Sequence, residues 1–178
     1  MGVFLCLLPE GEAVGALAAL ERPARDGVRY EPPERLHVTL RYFGDLDEST
    51  ISALAETTAE VASLSGEVAI ELGPATERLG RDGTLVLPAA GAAPLAALVD
   101  QVLATTGLDR RLPDRDESFY GHLTVARLRR RAALSDDLLG ASFSSSFVAT
   151  SIHLIDSVPS EQGRRYRHVV DERLRGGS

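Results

Sequence analysis

The chain has 178 residues, 44% of them hydrophobic and 25% charged, which suits one compact soluble domain or two small lobes sharing a core. A net charge of −7 and a pI near 5.1 exclude a global attraction to nucleic acid or to an anionic membrane, so any phosphate ligand depends on a local cluster of the 19 basic residues, all arginine. Cys6, the single cysteine, excludes an intramolecular disulfide and a cysteine-rich metal site; it lies in "VFLCLLP", an apolar run too short to span a membrane, and reads as a buried small hydrophobe.

That run, Val3 to Leu8, is ended by Pro9 and reads as a buried strand. From Pro9 to Arg22, Val14, Leu17, Ala18 and Leu20 recur at helical spacing behind acidic Glu10 and Glu12. A loop with Pro23, Gly27, Pro32 and Pro33 follows, and Leu36 to Phe43 alternates as a strand. Asp47 or Ser49 caps a helix to about Leu64, with Ile51, Leu54, Ala55, Thr58 and Val61 on one face and Gly66 as its stop. Val68, Ile70 and Leu72 alternate as a strand, and "RLGRDGTLVLP" reads as a hairpin turning at Arg81, Asp82 and Gly83. Pro94 opens a helix carrying Leu95, Leu98, Val99, Val102 and Leu103, which Gly107 ends. After a charged loop, Arg110 to Ser118, a strand runs from His122 to Leu128. A short helical piece near Ser135 to Leu139, a long strand from Phe147 to Val158 and a short one from Tyr166 to Val170 complete the chain.

Hairpins mixed with helices indicate an α+β class with largely antiparallel sheets. No Gly-x-Gly-x-x-Gly follows a strand and no Walker loop is present, so dinucleotide and Walker-type nucleotide binding have no support. No break in composition marks a domain boundary. The expectation is one domain over residues 1–178 made of two similar halves, near 1–90 and 91–178, with strands free to cross between them.

Two stretches carry the chemistry, "LHVTLRYFG" from Leu36 and "GHLTVARLR" from Gly121, and they use two of only four histidines. Alternation in a strand puts His37 and Thr39 on one face and Val38 and Leu40 on the other; His122 and Thr124 likewise oppose Leu123 and Val125. Two such strands across a groove would surround a small volume with two imidazoles and two hydroxyls. That set suits phosphodiester cleavage, with one imidazole taking a proton from the nucleophile and the other giving one to the departing oxygen.

The chain resembles the two-histidine phosphoesterase superfamily, and within it the RNA 2′,3′-cyclic phosphodiesterases, also called 2′-5′ RNA ligases. "VFLCLLP" is similar to the opening strand, "LHVTLRYFGDL" and "FYGHLTVARLR" to the two motif blocks, and "IHLIDSVPSEQGRRYRHV" to the closing strand pair. The resemblance implies a bilobal, pseudo-twofold α+β fold, with two antiparallel sheets, outer helices and a cleft between the lobes. It implies metal-independent hydrolysis of 2′,3′-cyclic phosphate RNA ends to 2′-phosphate ends, with reverse 2′-5′ ligation as a further activity. His37 would protonate the leaving 3′-oxygen, His122 would activate water, and Thr39, Thr124 and Arg127 would hold the phosphate. Tyr42 and Phe43 compete to stack on the base, and Arg41 is a further RNA-binding candidate.

Strict alternation from His122 puts Arg127 on the wrong face, so the strand must bend or bulge, or the side chain must reach around its end. Arg129 to Arg131 and Arg164, Arg165 and Arg167 could line the same groove, whereas His153 and His168 read as structural or partly exposed. Neither His-Glu-x-x-His nor a cysteine pair supports a metal site, and Ser151, His153 and Asp156 lie too close on one strand to form a hydrolase triad. The expected partners are RNA ends or nucleotides carrying a cyclic phosphate, with no cofactor, no membrane and no obligate protein partner, in a cytoplasmic monomer. The alternatives are a non-catalytic module for RNA ends or phosphoryl ligands, and a phosphodiesterase for another nucleotide-derived cyclic phosphate.

Overall fold

A computed structural model describes residues 2–80, 83–113, 118–129, 138–161 and 163–175. In chain order the elements are β1 (Gly2–Leu7), α1 (Glu12–Ala19), β2 (Val28–Tyr30), β3 (Val38–Gly44), α2 (Glu48–Leu64), β4 (Val68–Leu72), β5 (Glu77–Leu79), β6 (Thr84–Ala90), α3 (Ala93–Thr106), β7 (His122–Leu128), β8 (Ser145–Ala149), β9 (Ser151–Ser160) and β10 (Gly163–Arg173). The described strands form one sheet in the order β10-β9-β1-β3-β7-β6-β4-β8, with β2 beside β7 and β5 beside β6. Every pairing is antiparallel.

The expectation of two sheets is thereby corrected to one curled sheet, with three α-helices among the described residues. Two narrow joints are responsible. β3 meets β7 through the single pair Val38–Leu123, and β4 meets β6 through Glu71–Ala90 and Leu72–Ala89. Removing the first joint would leave two separate strand groups, each built around one histidine motif.

The helices follow from local signals. The Asp47 carboxylate accepts the Thr50 N–H at 2.8 Å and caps α2, and the Ser49 hydroxyl together with this bond holds the carboxyl at about pKa 2. α2 ends at Leu64 with Ser65 already extended, one residue before the expected glycine stop. α3 ends on Gly107 in the left-handed conformation, as its sequence requires. Leu54 and Val61 of α2 and Leu95, Val99 and Leu103 of α3 pack with Val38, Leu40 and Phe43 of β3 and Leu123, Val125 and Ala126 of β7. On the opposite face of β1, Phe4 and Cys6 join Ile155, Leu8 and Tyr166 in a second, smaller cluster.

The long strand expected from Phe147 to Val158 is two strands. At Thr150 the chain changes neighbours, because β8 pairs with β4 while β9 pairs with β1 and β10. There the Thr150 N–H and hydroxyl bond the Glu10 carboxylate instead of a strand partner. The hairpin-turn residues 81 and 82, residues 114–117 of the charged loop, Arg130 and Arg131, and most of the helical piece near Ser135 lie outside the described residues.

Candidate active site

The pair Val38–Leu123 fixes the geometry of the site. Both side chains are fully buried on the helix side of the sheet. Their neighbours along each strand therefore face the other way, and the antiparallel register continued by one residue sets His37 against Thr124 and Thr39 against His122. All four line one cavity of about 500 Å3, together with Arg127, Tyr42, Glu31 and Arg35.

Each imidazole is held by the same device. His37 Nδ1 donates to the Arg35 carbonyl at 2.7 Å, and His122 Nδ1 donates to the Tyr120 carbonyl at 2.8 Å. A carbonyl oxygen only accepts, so each Nδ1 carries its hydrogen and each Nε2 is left for proton transfer. Each ring also stacks on an aromatic, His37 on Phe4 with centroids 4.8 Å apart and His122 on Tyr120 at 5.9 Å. The Tyr120 hydroxyl donates to Glu77 at 2.9 Å, which fixes that support. Nothing in the histidine–threonine spacing announces these backbone bonds, because they depend on the turn before each strand.

The two halves differ electrostatically. Burial lowers the pKa of His37, and the Arg127 and His122 charges add to that; the hydrogen bond to Arg35 and the Glu31 carboxylate act in the opposite direction. At neutral pH the His37 ring is biased toward its neutral form, with Nε2 as an acceptor.

A bulge settles how Arg127 reaches the cavity. β6 pairs Val86 with Thr124 and Leu85 with Ala126, so Val125 has no opposite number. Val125 and Ala126 are both buried, alternation resumes one residue late, and Arg127 comes out on the face of His122 and Thr124. The first motif contains the same irregularity. β1 pairs Cys6 with Thr39 and Leu5 with Arg41, so Leu40 is the extra residue. In each half the residue after the threonine bulges, and the residue five after the histidine, Tyr42 or Arg127, faces the cavity.

These bulges set which of Arg41, Tyr42 and Phe43 faces the cavity. Tyr42 is 58% exposed and lines the cavity. Phe43 is 1% exposed in the main core and presents no face to a base, which corrects its candidacy. Arg41 is turned toward the helices, where it bonds Asp100 at 2.6 Å and the Pro113 carbonyl at 3.0 Å, and so it does not reach the cavity. Arg127 Nε bonds Glu31 Oε1 at 2.8 Å. Glu31 belongs to the segment that the sequence reads as a loop. Its placement comes from β2, which pairs Tyr30 with Ala126, and from the Glu31 N–H, which bonds the carbonyl of bulged Val125.

A neighbouring groove of about 730 Å3 shares Arg35, Arg164 and Tyr166 with the cavity and continues past Arg165 and His168. Arg167 instead pairs with Asp156 and Glu48, and Arg129 lies with Arg29 in an adjoining depression that shares Arg127 with the cavity. Among the described residues one group of side chains could take a metal. His153 and His168 both bond Asp171 Oδ1, at 2.6 and 2.9 Å, outside the cavity. Burial pushes the Cys6 thiol far up, with the Asp171 charge adding, so it stays a protonated hydrophobe.

Comparison with known proteins shows the family and the fold. Residues 9–160 match the model of the 2′-5′ RNA ligase superfamily. An RNA 2′,3′-cyclic phosphodiesterase of Archaeoglobus fulgidus is 27% identical over 146 residues, which cover 80% of this chain and 82% of the relative. A Thermus thermophilus protein superimposes with a TM-score of 0.83 at 23% identity, over 100% of both chains. E. coli LigT solved with 3′-AMP gives 0.76 at 19% identity over 97% of each chain, and has also been solved with phosphate, ATP and NADP+. With both histidine motifs inside the matched span, the chain belongs to the 2′-5′ RNA ligase superfamily.

Proposed function

We propose that the protein hydrolyses RNA 2′,3′-cyclic phosphate ends to 2′-phosphate ends by metal-independent acid–base catalysis between His37 and His122. The observation that carries the reading is the matched pair of Nδ1–carbonyl bonds, which leaves two Nε2 atoms available on one cavity. Water attacks phosphorus and gives its proton to Nε2 of His122. Nε2–H of His37 protonates the 3′-oxygen as the bond from phosphorus to that oxygen breaks, and the phosphate stays on the 2′-oxygen. Thr39, Thr124 and Arg127 hold the non-bridging oxygens, and Glu31 aims the Arg127 guanidinium. The bound phosphate anion stabilises the protonated ring that burial disfavours, so His37 takes up a proton from solvent as substrate binds.

The relative's activity and the nucleotides bound by E. coli LigT support a nucleotide substrate, with Tyr42 stacking on its base. The groove with Arg35, Arg164 and Arg165 gives the RNA chain a basic path that the net charge of the protein does not. Turnover of a 2′,3′-cyclic nucleotide tests the assignment. His37→Ala and His122→Ala should each lose roughly 10²–10⁴-fold with an unchanged circular-dichroism spectrum, the product should be the 2′-phosphate, and EDTA should have no effect. Full activity in either variant, or a 3′-phosphate product, overturns it.

A further inference from the structure

We propose that His153, His168 and Asp171 form a binding site for a transition-metal dication of the zinc type, outside the cavity and with no part in its proton chemistry. The three side chains come from β9 and β10, and strand register brings them together. Asp171 lies directly opposite His153. His168 is three residues before Asp171, so strict alternation would turn it to the other face. A bulge prevents that. His168 pairs with Ile155 and Val170 with Leu154, so Val169 is the extra residue and His168 shares a face with Asp171.

Nδ1 of His153 and Nδ1 of His168 both donate to Oδ1 of Asp171, at 2.6 and 2.9 Å, and the two rings stand at 79° with centroids 5.9 Å apart. Two nitrogens therefore converge on one carboxylate oxygen, and one donor atom from each residue lies within 4.8 Å of the others. Ligand atoms about 2.0–2.2 Å from a tetrahedral zinc are roughly 3.3 Å apart, so both contacts need to open by only about half an ångström to admit the ion. Each neutral ring then carries its hydrogen on Nε2 and gives the Nδ1 lone pair to the metal. The His153 side chain is 13% exposed, whereas those of His168 and Asp171 are 44% and 49% exposed. One ligand is thus anchored in the protein, two are reached from solvent, and water completes the coordination. Two imidazoles and a carboxylate favour zinc, copper or nickel over magnesium and calcium, which take oxygen ligands. A bound ion ties β10 to β9, and β10 carries Arg164 and Tyr166 of the cavity.

The test is calorimetric titration of the metal-free chain with zinc chloride, followed by thermal melts with and without the metal. Wild type should take up one zinc per chain. Its Tm should rise by roughly 5–10 °C when free zinc is about a hundred times Kd, and magnesium should do neither. His168→Gln and Asp171→Asn, both at half-exposed side chains, should each weaken zinc binding at least about tenfold and lose most of the rise. The double variant His37→Asn/His122→Asn should keep both, because its histidines lie in the cavity. The zinc-induced rise is read within each variant, so a lower starting Tm does not disturb the comparison. Four results would each overturn the site: no saturable uptake by wild type, uptake undiminished in His168→Gln and Asp171→Asn, uptake lost in His37→Asn/His122→Asn, or an equal rise with magnesium.

Discussion

Removing His122 while keeping its size isolates the proton chemistry of His37. In His122→Asn the loss of one general acid–base participant should lower kcat/KM by roughly 10²–10⁴-fold. At 1.36 kcal/mol per tenfold, that is about 3–5 kcal/mol of transition-state stabilisation. The residual activity then carries a single titration from this pair, and its direction reads the role of His37. Burial lowers the pKa of His37 below its ordinary 6.5. As an acid, His37 must be protonated, so kcat/KM of the variant should be flat at low pH and fall tenfold per pH unit above a midpoint under 6.5. As a base it would give the mirror image, rising through the same midpoint. Because kcat/KM reports the free enzyme and kcat the bound complex, the midpoint in kcat should move to higher pH, where the phosphate anion holds the imidazolium. The assay is initial-rate hydrolysis of a 2′,3′-cyclic nucleotide from pH 5 to 8. A profile rising with pH would reverse the two roles, and one that is flat throughout would remove His37 from proton transfer.

Tyr42→Ala should raise KM for cyclic nucleotides by the worth of one stacked base, about 1–3 kcal/mol, with Tm unchanged. Phe43→Ala should cost about 3–5 kcal/mol of folding stability by denaturant titration, because its ring is in the core. Glu31→Gln should lower kcat/KM by about tenfold, less than a fully buried charged hydrogen bond would give because the Arg127 side chain is 54% exposed. In an Arg127→Ala background the same change should have almost no further effect. Arg165→Ala, which removes a cation of the neighbouring groove only, should weaken turnover of a trinucleotide ending in a cyclic phosphate while leaving a mononucleotide unaffected. It should also flatten the salt dependence measured with the longer substrate.

Elements whose causes are local were legible in the sequence. β1, β3, β7, α2 and α3 lie within a few residues of where periodicity, Asp47 and Gly107 put them. Elements that exist because of a partner were not. β2 is three residues long and owes its strand geometry to pairing with β7, so nothing between Pro23 and Pro32 announces it. With β2 hidden, Glu31 was hidden too. The break at Thr150 depends on Glu10, far away in the chain, and the single sheet depends on the narrow joints at Val38–Leu123 and at Glu71–Ala90 and Leu72–Ala89. At the site, the histidines and threonines were visible because strand alternation is a property of the sequence alone. Tyr42 could not be separated from Phe43 or Arg41, since the face of each depends on a bulge at Leu40 that only pairing with β1 reveals.

The twin bulges explain why the motif occurs twice in this form. An antiparallel pair of strands has a local two-fold axis, and here it passes between Val38 and Leu123. Any side chain placed by one strand is matched by one from the other, so a single sequence pattern used twice delivers two imidazoles and two hydroxyls to opposite corners of one cavity. Symmetry alone would give two identical half-sites, but a phosphodiester has unlike ends, with water on one side and a leaving sugar on the other. The bulge after each threonine brings one more position to the cavity in each half, and there the chain departs from symmetry, with an aromatic ring at Tyr42 and a cation at Arg127. Burial makes a second departure, since His37 lies beneath Phe4 and Tyr166 whereas His122 stacks on the half-exposed Tyr120. On the proposed reading the motif repeat supplies proton transfer, and these departures give the cavity the direction that a bound nucleotide would follow.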